Sequence, residues 1–148
     1  MAKFIFRLES VLKLKDEQKK QLELELANIK EQRIKAESKL ENIFLTKDIV
    51  LKNLHSSGII QVLKCQADYY YLDSLDKQIE SQKKKIEKIL KLETNIISDL
   101  LKISKEKKTI EKLKEKKKET FDKEMLHLEN LFLDDISQRL KKSIEMVN

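Results

Sequence analysis

Residues 22–43 read LELELANIKEQRIKAESKLENI, and their apolar side chains recur at alternating intervals of four and three residues, with one interruption at Arg33. An α-helix completes a turn every ~3.6 residues, so this spacing places the apolar side chains along one narrow stripe of a helix. Such a stripe, flanked by charged residues, is typical of a coiled coil. The stretch therefore predicts a long helix that packs against a partner helix.

The same alternation continues in both directions and then recurs later in the chain. The first seam contains Leu8, Leu12, Lys15, Lys19, Leu22, Leu26, Ile29, Arg33, Ala36, Leu40, Ile43, Lys47, Val50 and Leu54, of which ten are apolar. The second seam contains Leu72, Leu75, Ile79, Gln82, Ile86, Ile89, Glu93, Ile96, Leu100, Ile103, Lys107 and Ile110, of which nine are apolar. Two matching seams predict that the chain supplies both helices of an antiparallel coiled-coil hairpin.

The interval between the seams contains the only glycine, Gly58, preceded by His55 and two serines. Glycine readily adopts the left-handed conformation that ends many helices, and a histidine in the last turn suits the helix dipole. We therefore predict one all-α coiled-coil domain, with a helix over about residues 4–55, a turn at about 56–58 and a helix over about 60–145. Facing residues should then have numbers that add up to about 115, and about 35 residues of the second helix should overhang the first.

Composition supports this fold and argues against two others. Charged residues make up 39% of the chain and hydrophobic residues 40%, with no proline and no tryptophan. A compact globule needs many tight turns, which draw on glycine and proline. A disordered chain would hold fewer apolar residues, without regular spacing. Abundant Lys, Glu and Leu at helical spacing is typical of long helices.

The sequence offers no arrangement suited to catalysis or cofactor binding. One glycine cannot make a glycine-rich phosphate loop, and His55 and His127 lie at no metal-ligand spacing. Cys65 is the only cysteine, so it can form no internal disulfide and gives no sign of an oxidising compartment. The cytosol is therefore the expected compartment. We expect no enzymatic activity, no cofactor, no metal and no small-molecule substrate. No apolar stretch approaches the ~18 residues that a membrane span requires, so we expect a soluble protein.

Two stretches could bind partners. Residues 102–118 contain nine lysines and three glutamates, an excess that equals the whole net charge of +6. This segment is either a solvated helix face or a docking surface for an acidic partner. Tyr69, Tyr70 and Tyr71 add more apolar surface than a two-helix seam can bury, so they either pack a wider end of the hairpin or bind a partner.

Both ends of the paired region resemble one protein family. Residues 4–15, FIFRLESVLKLK, with Glu25-Leu26-Ala27, resemble the start of the flagellar FliJ family, and residues 105–116, KEKKTIEKLKEK, resemble its C-terminal signature. The resemblance implies a component of the bacterial flagellar type III export apparatus that is similar to the central stalk of rotary ATPases. The implied partners are the hexameric export ATPase, which it would stimulate, the export gate membrane protein and export chaperones. The implied location is cytoplasmic, peripherally associated with the membrane at the flagellar base.

The resemblance suggests two sets of contact residues, one near the excess of lysine and one at the apolar end of the hairpin, away from both termini. For the ATPase we predict Phe4, Phe6, Arg7, Leu8, Lys112, Lys114, Lys116, Lys117 and Lys118. For the export gate we predict Tyr69, Tyr70, Tyr71 and Leu75.

Two other classes of function remain open. A purely structural coiled coil could dimerise through the apolar residues of its overhang, which include Phe121, Met125, Leu128, Leu131 and Phe132. A basic nucleic-acid binder is the third class, because lysine-rich segments bind phosphates. Only three arginines occur, however, and basic and acidic residues balance outside residues 102–118. We therefore expect no nucleic-acid partner.

Overall fold

The computed structural model describes residues 2–56 and 62–148, and most of these residues lie in two helices. Helix α1 spans Glu9–Ser56 and helix α2 spans Val62–Val147, and the described residues contain no strand. The two helices pack against each other as a helical hairpin, which confirms the predicted all-α fold class. The predicted turn includes Ser57 and Gly58, and these two residues lie outside the described part.

The N-terminal residues differ from the prediction, because α1 begins at Glu9 and not near residue 4. The amide of Glu9 donates a hydrogen bond to the carbonyl of Phe6 at 3.2 Å, in a turn that leads into the helix. Phe4 is half-buried and Phe6 is buried, whereas Ile5 between them is 80% exposed. Non-helical backbone allows alternate side chains to face one side, and this brings both phenylalanines against the protein.

The two seams are confirmed in full. Every position of the first seam is half-buried, and every position of the second is buried or half-buried. Among the apolar residues of the seams, burial is deepest at Leu72, Leu75 and Ile79, which are 8%, 3% and 6% exposed. A contact between only two helices leaves one side of each side chain near solvent, which explains why most of the seam is only half-buried.

The predicted register was wrong. Facing residues were expected to have numbers that add up to about 115. The observed numbers add up to 123 for the ion pair of Lys47 with Asp76 and to 121 for that of Lys15 with Glu106. The prediction took Gly58 as the centre of the reversal, whereas the pairing is centred a few residues later in the sequence.

The structure comprises two compact units. The central unit is Lys19–Lys102, and the terminal unit joins the residues up to Gln18 with Ile103–Asn148. Both units contain a stretch of α1 or its N-terminal extension packed on a stretch of α2. The single-domain organisation stays a prediction.

The seam of the central unit includes polar side chains between the helices. Gln82 is 5% exposed and its amide nitrogen donates a hydrogen bond to the carbonyl oxygen of Ala36 at 3.0 Å. Glu93 is 7% exposed, and its carboxylate lies 3.4 Å from the guanidinium of Arg33. Such buried polar positions in a coiled coil specify which residues face each other, usually with some loss of stability.

The terminal unit ends in a stretch of α2 that α1 does not cover. Phe4 packs on Phe121 with ring centroids 5.6 Å apart, and Met125 is still half-buried. Every residue from Leu126 to Asn148 is exposed. This overhang is shorter than the predicted 35 or so residues, mainly because of the register: Glu9 pairs with Lys114, eight residues farther along α2 than a sum of 115 would place it. The non-helical chain before Glu9 adds a little more, since it advances farther per residue than a helix does.

Candidate protein-interaction surfaces

The lysines of the terminal unit divide into two groups, of which the first binds α1. Lys107 lies 2.7 Å from the carboxylate of Asp16, and Lys114 lies 2.8 Å from that of Glu9. Both lysines are half-buried. These ion pairs hold α1 against α2, so part of the basic segment has a structural role.

The second group forms an exposed row. Lys105, Lys108, Lys112 and Lys116 follow one another at intervals of three and four residues, and all four are exposed. Residues at this spacing share one face of a helix. We call these four residues the outer lysine row, which extends ~16 Å along α2 at the usual rise per residue. It gives the terminal unit a concentrated positive surface directed to solvent.

The predicted ATPase-contact residues therefore fall into two classes. Phe6 is buried, Phe4 and Leu8 are half-buried, and Lys114 is paired with Glu9, so these residues stabilise the terminal unit. The remaining predicted residues are exposed, and they are Arg7, Lys112, Lys116, Lys117 and Lys118. The opening aromatic pair is thus an anchor on α2, because both rings are directed towards the protein.

Sequence reasoning left out two lysines of the outer row, Lys105 and Lys108. The signal was present in the sequence, since both stand at helical spacing from Lys112 and Lys116. The sum of charge over residues 102–118 does not distinguish one face of the helix from another. Only a face-by-face count separates these lysines from Lys107, which the segment also contains.

The central unit carries an aromatic surface near the start of α2. Tyr69, Tyr70 and Tyr71 are 67%, 71% and 46% exposed. Leu75 is only 3% exposed and belongs to the seam between the helices. Its prediction as a contact residue is therefore corrected, because a side chain enclosed by its own protein has no surface left for a partner.

A groove adjoins the two most exposed tyrosines. It has a volume of about 610 Å³ and is lined by Cys65, Gln66, Tyr69, Tyr70 and Asp73. It therefore combines aromatic faces with one carboxylate. Aromatic side chains that present an apolar face and a polar hydroxyl are enriched where proteins bind one another.

Within residues 2–56 and 62–148, no three His, Cys, Asp or Glu side chains gather as a metal ion would require. In the same part of the chain, neither helix has an apolar stretch long enough to cross a membrane.

A two-helix protein with an exposed lysine row and an exposed aromatic groove belongs to the class of helical proteins that present surfaces to other proteins. Comparison with family models identifies the family, because the model described as the flagellar FliJ protein matches residues 4–143. The chain belongs to the FliJ family and is a component of the flagellar protein export apparatus. Neither the search of curated proteins nor that of solved structures gave a match.

Proposed function

We propose that the protein is a central-stalk-like component of the flagellar type III export apparatus. It binds and stimulates the hexameric export ATPase through the terminal unit, and it links the ATPase to the export gate and to export chaperones. Its proposed location is the cytoplasmic face of the membrane at the flagellar base. Membership of the FliJ family supports the export role, and the outer lysine row is the observation that supports the ATPase contact.

The chemistry of the outer lysine row suits a contact that forms quickly and whose individual ion pairs can exchange. Exposed ion pairs are each worth ~0–1 kcal/mol, so no single pair fixes the stalk at one orientation. A row of four ammonium groups still raises the rate of association with an acidic surface, because long-range attraction steers the encounter. The ATPase surface that meets the row would therefore carry carboxylates.

The test reverses the outer row in the quadruple variant K105E/K108E/K112E/K116E. The matched control reverses Lys77, Lys84, Lys88 and Lys91, which are also four exposed lysines on one face of α2. Both variants lose eight units of charge and keep good helix formers. Lys114 is left intact, because a glutamate there would face Glu9 and disturb the packing of α1.

The measurement is the stimulation of ATP hydrolysis by the hexameric export ATPase. We expect the outer-row variant to need at least ~10-fold more protein for half-maximal stimulation, and the control to need less than ~2-fold more. Stimulation by the unmodified protein should weaken as salt is raised, since salt screens exposed charges. Equal stimulation by the outer-row variant and the unmodified protein would show that the row is only a solvated face.

We further propose that the aromatic groove of the central unit contacts the export gate. The support is the exposure of Tyr69 and Tyr70, because large aromatic side chains dominate the energetics of many interfaces. In the double variant Y69S/Y70S, binding to the purified gate protein should weaken by at least ~10-fold. The matched control is L24S/I34S, whose side chains are 67% and 61% exposed in the same unit. Gate binding that survives Y69S/Y70S would contradict this assignment.

The proposed contact with export chaperones has no assigned residues. It rests on membership of the FliJ family, and a pull-down with purified export chaperones tests it directly. Capture by the unmodified protein and by the outer-row variant alike would place the chaperone contact away from the lysines.

A further inference from the structure

The overhang of the terminal unit exposes a regular apolar stripe. The stripe consists of Met125, Leu128, Phe132, Ile136, Leu140, Ile144 and Val147. Met125 is half-buried and the other six are exposed, for example Phe132 at 65% and Ile144 at 63%. Successive members stand three or four residues apart, so they share one face of α2. An apolar stripe of this length exposed to water is unfavourable and usually marks an interaction site.

The spacing of the stripe is symmetric. From Met125 to Val147 the intervals are three, four, four, four, four and three residues, and Ile136 stands at the centre. The order of intervals is therefore the same in both directions along the helix. If a second copy of the stripe lies antiparallel with its centre at Ile136, Leu140 meets Phe132 of that copy and Ile144 meets its Leu128. Every apolar side chain then faces another apolar side chain.

The stripe also repeats with a regular helical period, which allows two helices to pack along its whole length. Met125, Ile136 and Val147 are spaced by eleven residues, which corresponds to ~3.67 residues per turn. The stripe is ~33 Å long and spans about three heptad lengths, which is near the minimum for a coiled coil recognised from its sequence.

The charges of the overhang favour an antiparallel arrangement. Residues 122–135 contain five acidic residues and one lysine. Residues 136–148 contain three basic residues, Arg139, Lys141 and Lys142, and one acidic residue, Glu145. Antiparallel pairing sets the acidic half of one helix beside the basic half of the other, whereas parallel pairing would set like charges together.

We propose that the overhang is a homodimerisation surface, on which a second copy of this chain packs antiparallel about Ile136. The apolar stripe supplies the free energy of association, and the two oppositely charged halves set the orientation. This inference does not rest on the ATPase contact, since the outer lysine row lies on α2 before the overhang.

The first test measures mass in solution by sedimentation equilibrium with the full chain. The unmodified protein should approach twice the chain mass of 17.6 kDa as concentration rises. The variant I136D places two carboxylates at the two-fold axis, and we expect its dissociation constant to rise at least ~100-fold. The matched control Q138D introduces the same side chain at an exposed position off the stripe and should dimerise like the unmodified protein. An unmodified protein that stays at 17.6 kDa at every concentration overturns the proposal and leaves the stripe to a different partner.

The second test determines the orientation by disulfide formation in a Cys65→Ser background. The variant I136C should cross-link to itself, because Ile136 lies on the two-fold axis. The variant L128C should not cross-link alone but should do so when mixed with I144C. Efficient cross-linking of L128C to itself would mean parallel helices and would overturn the antiparallel arrangement. Neither result depends on ATP hydrolysis, so failure here is distinct from failure of the proposed function.

Discussion

Two stretches of α2 carry similar apolar patterns but have opposite environments. In the central unit, Leu75 and Ile79 are 3% and 6% exposed. In the overhang, Phe132 and Leu140 are 65% and 59% exposed. Both stretches repeat apolar residues every three or four positions, and both are helical. The pattern therefore creates an apolar face, and the presence of a second helix decides whether that face becomes core or interface.

The largest expected effect comes from placing a carboxylate in the seam, and the same change in the overhang serves as its comparison. The variant L75D places a carboxylate in the seam without a partner, and we expect a loss of at least ~3 kcal/mol in the free energy of unfolding. The matched variant L140D places the same group in solvent, and it should change stability by less than ~0.5 kcal/mol in dilute protein. Thermal unfolding followed by circular dichroism measures both. Equal losses would mean that the overhang is covered in solution even when the protein is dilute.

The next effect concerns the ion pair of Arg33 with Glu93, which lies within the seam of the central unit. The Nε atom of Arg33 and the Oε2 atom of Glu93 are buried and make no hydrogen bond, although the two side chains are 3.4 Å apart. We expect E93A to lose about 2 kcal/mol, because the cation of Arg33 then lacks its counter-charge.

Replacement of both partners gives the opposite result for the same ion pair. The double variant R33L/E93L should be as stable as the unmodified protein or more stable, since two apolar side chains avoid the desolvation of two ions. Denaturant unfolding of the single and double variants measures this difference. A double variant less stable than E93A would show that the ion pair contributes more than its desolvation costs.

A smaller effect is expected at the point where the N-terminal segment ceases to cover α2. The rings of Phe4 and Phe121 pack at an interplanar angle of 50° and join the N-terminal segment to α2. The variant F121A should lose about 1–2 kcal/mol and increase hydrogen exchange in residues 4–8. The control F132A removes an exposed ring from the overhang and should leave that exchange unchanged. Unchanged exchange in F121A would mean that Phe6 alone anchors the segment.

The smallest effect is expected for the ion pair of Lys47, a half-buried seam residue, with the more exposed Asp76. The ammonium group of Lys47 lies 2.6 Å from the carboxylate of Asp76, which is 55% exposed. The variant D76N should lose at most ~1 kcal/mol, and the difference should shrink in high salt. A loss that persists in high salt would indicate that the pair is shielded from solvent more than its exposure suggests.

Much of the fold was predictable because it depends on local spacing. The two seams and the helical class follow from the period of apolar residues. The register was not predictable, because the ladder of apolar residues fits a partner equally well after a shift of one heptad. Contacts such as that of Gln82 with Ala36 select one register only when the two helices are brought together.

The sequence predicted which segments form the candidate surfaces, but not which side chains of those segments are exposed. The lysine-rich segment was identified, but its sequence does not state that Lys107 and Lys114 pair with Asp16 and Glu9 while Lys112 remains exposed. Tyr69 and Tyr70 were identified together with Leu75, which proved to be buried. Neighbours in a helical sequence point in different directions, and only the position of the partner helix determines which of them remain exposed.

The sequence by itself determined that the chain forms two long helices, since a period of three and four residues with almost no turn-forming residues permits little else. It also carried the FliJ family pattern and the excess of lysine in one segment. The tertiary structure alone decided the register, the non-helical path of Phe4 and Phe6, and the length of α2 left uncovered. These features depend on contacts between residues far apart in the sequence, from 29 positions for Lys47 and Asp76 to 91 for Lys15 and Glu106, and no local pattern encodes such a contact.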